Sequence, residues 1–194
     1  MRRRGAASVP GRGAASALRQ ALDLLYLASA VLAGAALFGI FAVMMAQVAL
    51  RQLNMQFRGA DDLVAYLCVA TTFFALAYTF KRGELIRVGL FIDKLNPRLR
   101  RFSEMSVLAL AAALCLYITA WTFSDAMFSR EIEEVAQGTV PFLIWIPKMA
   151  MPLGSGILLI AILDELVRVL AGYKPGYVAA AEERAARGDF SAEV

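Results

Sequence analysis

Three sets of side chains in this sequence are of types that could do chemistry. Asp61 and Asp62 stand side by side at the start of an apolar run, and paired carboxylates in a membrane can relay protons or bind sodium. The same pair can instead cap the exposed N–H groups of a helix and meet the positive end of its dipole. Their place at the edge of the run, rather than its middle, favours the cap. Asp125, Glu131, Glu133 and Glu134 crowd a stretch whose only cation is Arg130, which suits either simple solvation or the docking of a partner protein. Cys68 and Cys115 are the only cysteines, each alone in an apolar run. Without a CxxC pair, neither a disulfide framework nor thiol exchange has support.

Much common chemistry lacks its residues. The chain has no histidine, which removes the commonest metal ligand and the commonest general base together. No phosphate-binding loop, GxSxG elbow or HExxH zinc motif occurs. A four-helix multidrug exporter needs an intramembrane carboxylate in its first helix, and Asp23 lies too near the edge of the first apolar run. A quinone-linked thiol oxidoreductase needs the missing CxxC pair. The sequence therefore predicts no enzyme, no cofactor and no metal site.

The elements that carry these residues are set by the apolar content. Hydrophobic residues make up 60% of 194, charged residues only 19%, and the mean hydropathy is +0.61. The apolar residues fall in blocks of about 20, the length that crosses about 30 Å of hydrocarbon as a helix. The expected fold is an all-α integral membrane protein with four spans, at about 22–47, 63–80, 104–123 and 141–163. They form one domain, 20–170, between a disordered tail at 1–19 and a polar tail at 171–194. The first run is too long for the apolar core of a signal peptide, so the N-terminal tail is expected to be retained.

Residues 81–101, KRGELIRVGLFIDKLNPRLRR, connect the second and third spans. Leu85, Val88, Ile92, Leu95, Leu99 and Phe102 recur at alternating steps of three and four, one face of a helix, and cations surround that stripe. Such a segment fits an amphipathic helix in the headgroup layer, in contact with anionic lipid; a solvated loop is the alternative. With both termini cytoplasmic, sixteen Lys and Arg lie inside and four outside, the asymmetry that the positive-inside rule demands. The formal charge of +4 thus reports topology rather than nucleic-acid binding.

Local signals refine the spans. Ala30 with Gly34, and Ala35 with Gly39, provide small residues four apart for close helix approach. Asn96-Pro97 reads as a cap and first helical residue, starting the third helix at the cytoplasmic surface. Residues 124–140 are expected to form an external loop. Pro147 and Pro152 interrupt the fourth run, so a kink or unwound start is expected there. Lys148 can snorkel from it to the surface, and Trp145 and Trp121 fit an interfacial aromatic belt.

At this point the sequence resembles a known family. Lys81-Arg82-Gly83-Glu84-Leu85-Ile86-Arg87-Val88, after a span rich in Phe, and Trp145, Pro147 and Met151-Pro152-Leu153-Gly154 in the last run are similar to segments of the small membrane subunit of TRAP (tripartite ATP-independent periplasmic) transporters. The resemblance covers about residues 22–170 and departs from the family pattern at Leu85 and Gly89. It implies a multi-pass protein of the bacterial inner membrane, a large permease subunit and a periplasmic solute-binding protein as partners, and uptake of organic acids such as dicarboxylates by symport. This chain would join the static scaffold and bind neither substrate nor ion. Lys81, Arg82, Glu84 and Arg87 would then shape the cytoplasmic corner, with Glu84 and Arg87 spaced to pair. Trp145, Pro147, Pro152 and Gly154 would shape the fourth helix, with Gly154 expected against the large subunit. A free-standing tetraspan scaffold of another complex and a small oligomeric ion-coupled carrier are the competing readings.

Overall fold

The computed structural model describes residues 12–55, 57–82, 97–136 and 140–171. These residues form helices α1 (Arg12–Gln52), α2 (Ala60–Arg82), α3 (Pro97–Glu131), α4 (Trp145–Lys148) and α5 (Ala150–Leu170). No strand occurs among them, only an isolated antiparallel bridge between Val135 and Leu143. The segment expected to lie in the headgroup layer falls largely outside the described residues, at 83–96, and so do residues 1–11 and 172–194.

Each helix starts and stops for local reasons. Asp61 and Asp62 occupy the first turn of α2 and Lys81 and Arg82 its last, both favourable in the field of the helix dipole. Arg51, Arg130 and Arg168 repeat the basic ending in α1, α3 and α5. Pro97 opens α3, as the Asn96-Pro97 pair predicts. α1 closes on Asn54 at φ 55, whose left-handed backbone lets Asn54 N–H reach Arg51 O (3.1 Å) and Met55 N–H reach Leu50 O (3.0 Å). Glu133 at φ 49 closes α3 in the same way, with Glu134 N–H donating to Ser129 O at 2.9 Å.

Two boundaries differ from expectation. α1 begins at Arg12, inside the expected tail, and α3 runs on to Glu131, through half of the expected external loop. Polar composition suggested a loop at 124–131, but Ala126 and Ser129 are buried there, and one packed stripe is enough to hold a polar helix end in place. The fourth run divides at Met149, between α4 and α5. Pro152 has no N–H to donate to Lys148 O, and its ring crowds that carbonyl, so the helix must yield there.

α1, α2 and α3 contain three stretches long and apolar enough to cross a membrane: Arg19–Gln52, Ala60–Arg82 and Arg101–Glu131. α5 is shorter and more enclosed, with seven buried residues between Pro152 and Val169. α2 packs on α1 and on α5, and α5 packs in turn on α3, so the main contacts run α1, α2, α5, α3 as a row, with α5 also touching α1. The core is densest near one end of the row, where Tyr26, Ala77, Phe80, Leu108, Ala161, Ile162 and Val169 meet. Lys81 lies at that end and Lys148 at the other. The start of α1 and the finish of α5 share the Lys81 end.

Gly59 makes the turn into α2 at φ +77, and a Cβ there would lie 3.0 Å from Val140 Cγ2. Gly59→Ala is therefore expected to cost about 1–2 kcal/mol, read as a lower thermal midpoint of the purified protein. Gly39 faces Leu67 of α2, whereas nothing lies within 4 Å of a Cβ built on Gly34. Of the two small-residue pairs in α1, one therefore meets a helix of this chain and the other opens outward.

Candidate functional site

The polar side chains of the spans are mostly occupied within their own helices. Thr71, Thr72 and Thr79 donate to the carbonyls of Leu67, Cys68 and Ala75 at 2.8, 2.9 and 3.0 Å. Ser106 and Thr122 do the same to Phe102 (2.9 Å) and Ile118 (2.7 Å). In hydrocarbon this is the expected fate of a hydroxyl without an outside partner. One pair crosses helices near mid-span: Thr119 of α3 donates to Ser155 of α5 at 2.9 Å.

Charged residues gather at the two ends of the row. At the Lys81 end, the Lys81 ammonium pairs with Asp23 of α1 and lies 4.5 Å from the centre of the Tyr26 ring. Arg82 stacks over Tyr78 one turn back, at 5.1 Å. Arg101 reaches from the first turns of α3 to the carbonyls of Val169 and Leu170, both at 3.2 Å. It thereby satisfies the finish of α5, where unpaired C=O groups collect. Glu165 is only 6% exposed and pairs with Arg168 at 3.7 Å.

The other end is fastened by Lys148. Its Nζ donates to Ser129 Oγ at 2.7 Å and pairs with Asp125 (3.1 Å) and Glu134 (3.2 Å). Sequence alone suggested that Lys148 snorkels and that Asp125 and Glu134 are solvated or await a partner. The structure adds a pairing: the extension of α3 to Glu131 brings these acids over the start of α4, where Lys148 takes them. The backbone follows, with Ile144 N–H donating to Glu134 O (3.0 Å) and Ala136 N–H to Phe142 O (2.9 Å). Arg130 also lies over the Trp145 ring, 5.4 Å from its centre.

The Ser129 hydroxyl and the Lys148 ammonium hold the Glu134 carboxyl below the ordinary carboxylate range. A lowered folded value means that its contribution is complete above the unfolded pKa and disappears as pH falls through the folded one. The stability difference between wild type and Glu134→Gln is thus expected to be constant at neutral pH and to vanish below the usual carboxylate range. Thermal melts at stepped pH in the same detergent would check it.

The residues expected to shape the chain divide three ways. Lys81 and Arg82 form contacts at their corner, but Glu84 and Arg87 lie outside the described residues. Trp145, Pro147 and Pro152 do sit at the broken start of the last helix. Gly154 does not face outward toward another subunit: a Cβ there would lie 2.6 Å from Phe73 Cβ and 2.7 Å from the Phe73 carbonyl carbon. It marks a close approach of α2 and α5 inside the chain. No periodicity argument could have shown which neighbour that glycine serves.

Among the described residues no group of three or more His, Cys, Asp or Glu is placed to hold a metal ion. Of the residues that looked chemical in the sequence, Asp61 accepts from Gln47 at 3.2 Å, while Cys68 and Cys115 are free thiols on separate helices. What the site offers is a set of fastenings at both ends of an apolar row, with broad apolar faces on α1 and α3. No curated protein matches the sequence closely enough to be reported. The family of DctQ components of tripartite ATP-independent periplasmic transporters matches residues 40–172. With more than half of its length inside that match, the chain belongs to the DctQ family, the small permease subunits of TRAP transporters.

Proposed function

We infer that this small permease subunit is the stationary membrane part of its transporter. It spans the bacterial inner membrane four times, α4 and α5 forming the last crossing, with both termini in the cytoplasm. A large permease subunit carries the substrate and ion sites and moves; this chain widens the part that does not. A periplasmic binding protein delivers organic acids, dicarboxylates among them, and an ion gradient drives their symport.

The observation that carries this reading is the distribution of charge. Among the described residues, ion pairs close the two ends of the row. Between them α1 and α3 expose large apolar side chains such as Phe38, Phe41, Leu110 and Trp121. Outer faces of this kind suit lipid or another apolar helix, and packing rather than titration is what a scaffold needs.

Reconstitution tests it. Vesicles with the large subunit, this chain and binding protein are expected to accumulate solute, and vesicles lacking this chain to lose most of that uptake. Solute flux through vesicles containing this chain alone would refute the scaffold reading. Labelling of single cysteines added near each terminus would check the orientation independently.

A further inference from the structure

At the Lys148 end the row is not closed. A cleft of about 360 Å³ separates α2 from the broken start of the last helix. α2 supplies one wall with Leu63, Tyr66, Leu67 and Ala70. The facing wall is Phe142, Ile146, Pro147 and Ala150, held off α2 because Pro152 breaks the helix at Met149 and sets α4 apart from α5. Tyr66 meets Phe142 edge-on, their centres 5.5 Å apart.

We propose that this cleft holds one acyl chain of a membrane phospholipid, with an amine-bearing zwitterionic headgroup at Arg58 and Asp62. The walls are predominantly apolar side chains, which suits an acyl chain. Depth fits one leaflet. From Leu63 to Ala70 the cleft runs along α2 for about 10 Å, and from the start of α2 to Ala70 is about 15 Å, half of the hydrocarbon thickness.

Charge completes the fit at the mouth. Asp62 lies one turn above Tyr66, on the side of α2 that lines the cleft, and can take an ammonium. Arg58 is exposed immediately before Gly59, whose Cα faces Val140 next to the Phe142 wall. Its guanidinium has no ion-pair partner among the described residues, and guanidinium is the side chain best shaped to grip a phosphate. A zwitterionic headgroup satisfies both residues at once.

The proposal rests on the reading above that α2 and α5 cross the bilayer, which labelling of single cysteines placed at the two ends of each of these helices would test separately. The experiment is native mass spectrometry of the complex of this chain with the large subunit, released from nanodiscs of phosphatidylethanolamine and phosphatidylglycerol. One phosphatidylethanolamine is expected to stay bound. Ala70→Leu, which fills the cleft, should reduce the bound fraction several-fold. Arg58→Glu, at an exposed position that leaves the walls intact, should reduce it as well, and any lipid that remains should still be phosphatidylethanolamine rather than phosphatidylglycerol. Retention unchanged in both variants would overturn the proposal. So would Ala70→Leu releasing the large subunit while lipid stays bound, since the occupant would then be a side chain of that subunit.

Discussion

Gly154→Ala is expected to destabilise the chain by about 2 kcal/mol although it adds one methyl group. The new Cβ would lie 2.6 Å from Phe73 Cβ, 2.7 Å from its carbonyl carbon and 2.8 Å from its carbonyl oxygen. Two of these atoms are backbone, which cannot rotate away, so α2 and α5 must separate. Overpacking of this severity costs about 3 kcal/mol, and the better helix propensity of alanine offsets about 1. For a chain of this size the net lowers the thermal midpoint by roughly 4–8 °C. Gly34→Ala is the control. It makes the same exchange in a helix with nothing within 4 Å and should leave the midpoint unchanged or raise it slightly. Truncating Phe73 to Ala alongside Gly154→Ala should rescue little, because the carbonyl contacts remain.

The second large effect is expected at Lys148. Lys148→Met keeps the apolar stem and removes the charge, leaving Asp125 and Glu134 side by side over Ser129. Hydrogen bonds to charged groups contribute about 1.5–3 kcal/mol each when enclosed, but exposed pairs only about 0.2–1. The Lys148 side chain is 26% exposed and its partners 53% and 38%, so a total near 2 kcal/mol is expected. The loss should be local as well as global. Hydrogen exchange should quicken at Ala136 and Ile144, whose N–H groups bridge the two chain segments, and stay unchanged at the Lys81 end. Double-mutant cycles with Glu134→Gln and Asp125→Asn would apportion the pairs.

Sequence periodicity and composition reached the membrane class, the three long apolar helices and the start of α3, because each rests on signals local to a few turns. The break in the last helix was legible for the same reason: Pro152 lacks a donor wherever it is placed. What stayed hidden depends on neighbours. Lys148 looks like any lysine near a membrane surface until Asp125, four residues beyond Trp121, is recognised as helical and turned toward it. Gly34 and Gly39 are equivalent in sequence, and only the position of Leu67 tells them apart. Gly154 was recognised as a shaping residue, but the helix it accommodates belongs to this chain. The family resemblance rested partly on residues 83–89, which lie outside the described structure, while the family match reaches across 40–172 and does not depend on them alone.

The single-file arrangement of α1, α2, α5 and α3 has a geometric corollary. Among the described residues this palisade leaves broad apolar faces open on its long helices, Phe38 and Phe41 on α1 and Leu110 and Trp121 on α3 among them. Such faces are what the scaffold role proposed above would use to brace a larger neighbour along the bilayer.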